Sequence, residues 1–344
     1  MSSEKKALIA MSGGVDSSVA AFLTLSEGYE CVGGTMHLYQ PVQEIEDARA
    51  VARRLGMEFH IFDCQALFRE QVLEKFVRCY EAGLTPNPCV DCNRHLKFGA
   101  FPQMAQALGC GTIVTGHYAS VTANNGRYLL KKAAVPQKDQ SYFLATLTQE
   151  QLSRVRFPLG ALTKEEVREI AAQQGFLTAK KKDSQDICFV PNGDYVTFLR
   201  QFTGREYACG DFLDLSGKTV GQHQGAVAYT LGQRKGLGLA MGTPVYVCGK
   251  DMKKNTVTVG PNEALYSTEL IAGDWSWFPF PALTSPLRCL AKTRSRQLEQ
   301  PATAYPEENG KVRVVFDEPQ RAITPGQIVA LYDGDTVIGG GTIE

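Results

Sequence analysis

Short apolar runs alternate with amphipathic stretches along the first 205 residues of the chain. The stretches, such as 45–55, repeat apolar residues at helical spacing and predict helices. Strand–helix alternation predicts right-handed crossovers and a parallel, doubly wound α/β sheet. The runs that predict buried strands are Ala7–Met11, Cys31–Thr35, Glu58–Phe62 and Thr112–Thr115.

Turn residues and further periodic segments complete this part. Asn124-Asn125-Gly126 predicts the turn of a hairpin over 118–132. Further helices are predicted at 67–77, 96–108, 141–154, 163–174 and 194–202.

The pattern changes at about residue 206, where short alternating segments separated by Gly, Asp and Asn replace the helices. The proline-rich stretch Phe278–Pro286 interrupts this β half and predicts two small β modules. We therefore expect three domains, at 1–205, 206–272 and 273–344.

A glycine- and serine-rich turn, Ser12–Ser18, joins the first strand to an apolar helix. Its glycines allow the backbone to approach an anion, and the helix N-terminus favours negative charge. A Walker loop would carry a lysine near Asp16, so Asp16 becomes a candidate magnesium ligand instead. Ligands of parallel sheets bind beyond the carboxyl ends of the strands, which adds Met36 and Gly116-His117 to the same crevice. The turn predicts a nucleotide site.

Composition is that of a soluble globular protein, with 44% hydrophobic and 21% charged residues and zero formal net charge. A polyanionic partner must therefore meet local basic patches, such as Lys131-Lys132, Lys180–Lys182 or Lys292 with Arg294 and Arg296. The N-terminus does not fit a signal peptide, and no apolar run is long enough to span a bilayer. We expect a cytoplasmic protein without membrane contact, its ten cysteines mostly reduced.

Cysteines form the second signal. Cys89 and Cys92 follow the extended Pro86-Asn87-Pro88, and Cys188 lies in a basic polar loop. We expect Cys92 close to a helix N-terminus, where the dipole, Arg94 and Lys97 favour a thiolate. The residues alone leave several alternatives open: unreactive thiols, a redox pair, a zinc site with His95, or a three-thiolate iron–sulfur site.

These motifs together resemble the bacterial tRNA-specific 2-thiouridylases, the MnmA family of PP-loop ATP pyrophosphatases, over nearly the whole chain. The matching segments are Ser12–Ser18, Thr85–Phe98, Thr115–Ala119, Lys138–Leu144, Asp183–Phe189 and Leu231–Gly238. The resemblance implies an adenine-nucleotide α-hydrolase-like domain, a small central β domain and a C-terminal β-barrel that contacts tRNA. It also implies an enzyme, a tRNA-uridine 2-sulfurtransferase that cleaves ATP to AMP and pyrophosphate.

The implied reaction adenylates the 2-oxygen of the wobble uridine in the anticodon loop. Cys188 would carry a persulfide and Cys92 would act as nucleophile, with a disulfide between them afterwards. A sulfur donor, such as a cysteine desulfurase or a sulfur-relay protein, is the implied second partner. The implied ATP positions are Ala10, Met11, Ser12, Gly13, Gly14, Val15, Asp16, Ser17, Met36 and Gly116. The implied tRNA positions are Asn87, Pro88 and Cys89 at the target base, with His117, Lys138, Asp139, Gln140, Arg294, Ser295 and Gln327 elsewhere.

Two positions depart from the family pattern. Many members carry Asp where this chain has Cys89, which favours a variant in which Cys89, Cys92 and Cys188 hold a 4Fe-4S cluster that carries the sulfur. Ser295 replaces a frequent aromatic residue and cannot stack on RNA. Two other functions remain as alternatives: a PP-loop enzyme that adenylates a small carbonyl substrate, and a module that binds tRNA without catalysis.

Overall fold

The computed structural model describes residues 5–39, 42–180 and 187–344. Its first part contains a parallel sheet with strand order β3-β2-β1-β4-β7. The strands of this part are β1 (Lys6–Ala10), β2 (Glu30–His37), β3 (Glu58–Asp63), β4 (Thr112–Val114), β5 (Ser120–Asn124), β6 (Arg127–Lys131) and β7 (Val155–Arg156).

Helices cover both faces of this sheet. Because side chains alternate along a strand, Ala7 and Ile9 pack in one core cluster, while Leu8 packs in another with Phe76 and Phe101. This is the predicted doubly wound arrangement. The helices are α1 (Val15–Ser26), α2 (Val42–Arg54), α3 (Gln65–Phe68), α4 (Lys75–Glu81), α5 (Pro88–Asp91), α6 (Phe101–Ala107), α7 (Gln149–Ser153), α8 (Lys164–Gln173) and α9 (Tyr195–Thr203). Arg69–Glu74 and Cys92–Ala100 are π-helical and continue α3 into α4 and α5 into α6.

Two predicted helices differ from the structure. The helix predicted at 141–154 is a 3₁₀ turn, Ser141–Leu144, followed by the separate α7. The Thr148 side chain accepts from the Gln151 N–H, and the Gln151 side chain accepts from the Thr148 N–H, so a capping box starts a new helix. The helix predicted from residue 96 begins earlier, at Pro88, whose fixed φ suits the first helical position.

The central part is a small sheet of strand order β10-β11-β8-β9. Phe212, Val247 and Val257 form its buried core. Its strands are β8 (Gly210–Leu213), β9 (Thr219–His223), β10 (Tyr246–Asp251) and β11 (Thr256–Gly260).

The C-terminal part is a closed barrel of six strands, because β12 pairs with both β15 and β17. Closure removes the free edges of the sheet. The strands are β12 (Tyr266–Trp277), β13 (Leu287–Lys292), β14 (Gln300–Pro306), β15 (Val312–Arg321), β16 (Ile328–Asp333) and β17 (Thr336–Ile343). The two predicted β modules are thus present, and β12 runs across the predicted boundary at 272.

The predicted hairpin, β5–β6, is confirmed, but it has a second partner. β6 pairs with β17 of the barrel at Lys131 and Thr336. The Arg127 guanidinium also donates to the carbonyls of Phe278 at 2.6 Å and Trp277 at 3.0 Å. The first domain is therefore joined to the barrel by main-chain pairing. Among the residues described, no helix has the length and apolarity to cross a membrane.

Candidate nucleotide and thiol site

The loop between β1 and α1 is held closed by its own hydrogen bonds. Ser12 N–H donates to Ser17 Oγ at 3.2 Å, and Ser17 Oγ donates to the Gly14 carbonyl at 3.1 Å. Gly13 has φ of +70°, and a Cβ there would lie 2.3 Å from the Glu44 carbonyl oxygen. Ser12 and Ser17, which were predicted to donate to an anion, thus also hold the loop in its conformation. The close contact with Glu44 leaves room only for glycine at position 13.

A cavity of about 300 Å³, which we call the nucleotide cavity, opens beside this loop at the carboxyl ends of the strands. Gly116 forms part of the wall, and a Cβ there would lie 2.7 Å from the carbonyl carbon of Asp16. Three of the predicted ATP positions do not line the cavity: Gly13 and Gly14, which lie in the loop, and Val15, which begins α1. The lining is Ala10, Met11, Ser12, Asp16, Ser17, Gly34, Met36, Leu38, Tyr39, Glu44, Lys97, Thr115, Gly116, His117, Gln140 and Cys188.

Asp16 has a dense set of partners. Lys164 Nζ donates to Oδ1 at 2.7 Å and to Oδ2 at 2.8 Å, and the Tyr118 hydroxyl donates to Oδ1 at 2.8 Å. The Lys164 side chain is 7% exposed and that of Asp16 33% exposed. Lys164 is the first residue of α8, whose start is fixed by a capping box between Thr163 and Glu166.

The magnesium role predicted for Asp16 stays a prediction. Both carboxylate oxygens accept hydrogen bonds, and Lys164 supplies a balancing charge. A carboxylate can accept about four contacts, so these hydrogen bonds leave Asp16 able to ligate an ion as well. In this structure Asp16 is the partly exposed member of an ion pair with the buried Lys164.

The cysteines at 89 and 92 lie on the helix that begins at Pro88. Cys89 is in its first turn and is exposed, whereas Cys92 is its fifth residue and is half-buried. Cys92 therefore lies close to a helix N-terminus as predicted, although one turn inside the helix and not before it. Loss of water raises the pKa of both thiols, and the Lys97 charge opposes that rise. Arg94 points elsewhere, since it forms an ion pair with Asp274 of the barrel.

Cys188 lies on the wall of the nucleotide cavity and is exposed. The pKa of the Cys188 thiol is raised to about 11. The main cause is that the cavity wall removes much of its contact with water, and the negative charges of the Cys92 and Cys89 thiolates add to the rise. We call Cys89, Cys92 and Cys188 the thiol cluster, because their charges influence one another. The preceding Asp183–Asp186 and the basic Lys181-Lys182 lie outside the described residues.

The iron–sulfur and zinc alternatives stay predictions. Across residues 5–39, 42–180 and 187–344, no group of three or more His, Cys, Asp or Glu side chains is arranged to hold a metal ion, so the thiols and His95 form no preformed ligand set there.

Several positions predicted to contact tRNA hold the protein itself together. Asp139 accepts hydrogen bonds from the N–H groups of Ala133 and Ser141. Gln140 accepts from the Tyr118 N–H through its side chain. His117 pairs with Thr115 Oγ1 at 2.7 Å. Burial, with a smaller effect of Lys97, holds the pKa of His117 well below its usual range, so the ring is neutral near pH 7.

The predicted contacts on the barrel side are also anchored. Arg294 donates to the Ala322 carbonyl at 2.9 Å and borders a surface cavity of about 490 Å³ with Arg296 and Arg321. Gln327 Nε2 donates to the carbonyls of Thr85 at 2.8 Å and Pro86 at 3.2 Å, which holds the loop that leads to Pro88.

Three other predicted contact positions, Asn87, Lys138 and Ser295, are partly exposed. Asn87 borders a cavity of about 350 Å³ between this loop and the barrel. Lys138 and Ser295 are half-buried. Of the predicted basic patches, Lys131 and Lys132 pair with Asp335 and Glu299, and Lys292 is buried.

Sequence analysis missed Lys164 and Tyr118. A lysine in the first turn of a helix opposes the macrodipole, which favours acidic residues there. Lys164 directly after the Thr163 cap was therefore a signal that some nearby anion fixes it. Tyr118 carries no comparable signal, because its hydroxyl reaches Asp16 only through the fold.

The fold and loop together define an α/β protein of the PP-loop nucleotide-binding class with two appended β modules. Family models match all three parts: a tRNA methyl transferase HUP domain over 5–192, a tRNA methyl transferase PRC-barrel domain over 196–261, and an aminomethyltransferase beta-barrel domain over 267–343.

Full-length relatives make the assignment specific. The tRNA-specific 2-thiouridylase MnmA of Symbiobacterium thermophilum is 47% identical, over 99% of this chain and 92% of the relative. Those of Acetivibrio thermocellus and Clostridioides difficile are 46% and 44% identical, over 99% of this chain and 100% and 98% of the relatives. The chain belongs to the MnmA family of tRNA-specific 2-thiouridylases.

Proposed function

We propose that this protein catalyses the ATP-dependent 2-thiolation of the wobble uridine of tRNA. One observation carries the proposal: Ser12, Asp16 and Ser17 of the PP-loop and Cys188 line the same nucleotide cavity. Activation of a base and delivery of sulfur to it require ATP and a sulfur-bearing group at one place. Family membership supports tRNA as the substrate.

The first step activates the base. The 2-oxygen of the uridine attacks the α-phosphorus of ATP, the bond to the β-phosphate breaks, and pyrophosphate leaves. The product is a uridine adenylated on its 2-oxygen. This oxygen then leaves C2 as part of AMP, which is a much better leaving group than oxide or hydroxide. The loop positions supply backbone donors for phosphate oxygens.

The second step transfers sulfur. The terminal sulfur of a Cys188 persulfide attacks C2, and AMP leaves with the former 2-oxygen. The Cys92 thiolate then attacks Cys188 Sγ, which releases 2-thiouridine and leaves a Cys92–Cys188 disulfide. An external persulfide donor and a two-electron thiol reductant restore the enzyme for the next turnover.

The binding roles belong to the same proposal. We propose that Asn87, Pro88 and Cys89 border the target base, splayed out of the loop stack. Arg294, with Arg296 and Arg321 beside it, supplies positive charge for the RNA backbone. The enzyme acts in the cytoplasm, where a cysteine desulfurase or a relay protein supplies the persulfide.

A reconstituted reaction tests the proposal. Purified protein is incubated with a tRNA transcript containing a wobble uridine, ATP, magnesium, cysteine desulfurase, cysteine and dithiothreitol. We expect 2-thiouridine on mercury-containing gels, with one AMP released per sulfur inserted. A matched transcript with cytidine at the wobble position is the control. Equal AMP release with both transcripts, or release with a small metabolite alone, would contradict tRNA as the substrate.

A second measurement distinguishes the iron–sulfur route from the persulfide route. Protein purified under strict anaerobic conditions is analysed for iron and acid-labile sulfide and by absorption spectroscopy. On the persulfide route, the protein is colourless and thiolates tRNA without bound iron. Stoichiometric iron that is lost in Cys89→Ser together with activity would replace the persulfide route by the cluster route.

A further inference from the structure

The nucleotide cavity has few positive charges for a ligand as anionic as ATP. Among the described residues that line it, Lys97 is the one lysine or arginine, beside the acidic Asp16 and Glu44. Lys164, at the start of α8, forms an ion pair with Asp16. The His117 ring is neutral, as described above. Lys97 therefore occupies the role that a lysine of the loop itself would have in a Walker motif.

Lys97 also shares a helix with two of the thiols. The segment Cys92–Ala100 is π-helical, with wider turns than an α-helix, so residues four and five apart lie on the same side of it. Lys97 is five residues after Cys92, and Cys89 is three residues before it on the preceding turn. In a continuous α-helix, positions three and four after Cys92, not five, would lie above it. The π-helix thus turns Lys97 towards the side of the thiols.

The charge of Lys97 reaches every thiol of the cluster. It lowers the pKa of Cys89, Cys92 and Cys188, against the larger rise caused by loss of contact with water and, at Cys188, by the two other thiols. No carboxylate of the described residues forms a salt bridge with Lys97. Its charge is consequently available to anions that arise in the cavity.

We propose that Lys97 is one cation with two tasks, holding the triphosphate during base activation and stabilising thiolate in the thiol cluster during sulfur transfer. This inference rests on the proposed function for its biological meaning. Its physical content concerns ATP and thiols alone, so it can be tested without tRNA.

The test compares Lys97→Met, which keeps the length and apolar body of the side chain, with Lys97→Arg, which keeps the charge. ATP affinity is measured by calorimetry, and alkylation of the Cys92 and Cys188 peptides by iodoacetamide is followed by mass spectrometry from pH 7 to 10. For Lys97→Met we expect about tenfold weaker ATP binding, the loss of one charge-assisted contact. We also expect about threefold slower alkylation at pH 8, since a thiol reacts as its thiolate.

Lys97→Arg should stay within about threefold of the unaltered protein in both readouts. Lys253→Met, in an exposed turn after β10, removes the same charge far from the cavity and should change neither. Should Lys97→Met fail to fold, as judged by circular dichroism, Lys97→Gln repeats the comparison. Unchanged values overturn the proposal, and a change in one readout alone overturns the shared task. Because tRNA is absent, these results do not depend on whether the protein thiolates uridine.

Discussion

The ion pair between the buried Lys164 and the partly exposed Asp16 gives the sharpest stability prediction. Removing one partner of a fully buried pair costs about 3–5 kcal/mol, because the other charge loses its compensation. Asp16 is 33% exposed and keeps the Tyr118 hydroxyl, so water replaces part of what Lys164→Met removes. We expect that variant to lose about 2 kcal/mol. Asp16→Asn leaves the 7% exposed Lys164 without an anion, and we expect a loss of about 3 kcal/mol.

The double variant separates the pair from its surroundings. Once one partner is absent, losing the other costs less, so the double-mutant cycle should give a coupling of about 1.5 kcal/mol or more. Both tryptophans of the chain, Trp275 and Trp277, lie in the barrel, so fluorescence would not report this region. Hydrogen exchange of the α1 and α8 amides, read by mass spectrometry, measures the local opening free energy.

A matched control uses the surface pair between Lys6 and Glu30, at 2.8 Å. Lys6→Met makes the same chemical change at a pair whose side chains are 27% and 63% exposed, and should leave exchange in α1 and α8 unaltered. Additive effects of Lys164→Met and Asp16→Asn, with coupling under about 0.3 kcal/mol, would refute the assignment of a structural ion pair.

Three further predictions concern catalysis, helix capping and the contact with the barrel. Cys188→Ser should abolish 2-thiouridine formation while tRNA affinity, measured by filter binding, stays within twofold; a large loss of affinity would contradict a role in sulfur transfer alone. Hydrogen bonds from Thr163 lower the pKa of Glu166 below its ordinary 4.5. The cap stabilises α8 fully above pH 4.5, and this stabilisation is lost as the pH falls through the lowered pKa of Glu166. In Glu166→Gln, the opening free energy of the α8 amides should therefore depend less on pH between pH 3 and 6. An unchanged pH dependence would contradict the cap. Gln327→Ala removes two hydrogen bonds to the Thr85 loop and should raise the KM for tRNA several-fold with little change in ATP affinity, whereas an equal effect on both would indicate general misfolding.

Local patterns in the sequence were sufficient for most of the fold. Apolar runs and helical periodicity placed β1 to β4 and the hairpin, because each of these depends on residues close in sequence. The helix predicted at 141–154 was wrong, because the Thr148–Gln151 capping box was overlooked. The start of the helix at Pro88 was missed in the same way, although proline at the first helical position was visible.

Long-range partners could not be read from local patterns. Asp16 and Lys164 are 148 positions apart, and only the folded sheet and α8 bring them together. The same is true of Arg94 and Asp274, and of Gln327 with the Thr85 loop. The sequence shows which side chains could bind a ligand or react. Only the folded structure shows which of them already form hydrogen bonds or ion pairs within the protein.

The pairing of β6 with β17 limits how this chain can be divided. A fragment ending near residue 205 would retain the hairpin but lose the strand that flanks it, leaving an open edge available for unintended self-association. The Arg127 guanidinium would also lose its carbonyl acceptors at 277 and 278. In a truncated protein, loss of RNA binding could therefore not be distinguished from damage to the first domain. Point substitutions in the full-length chain avoid this problem.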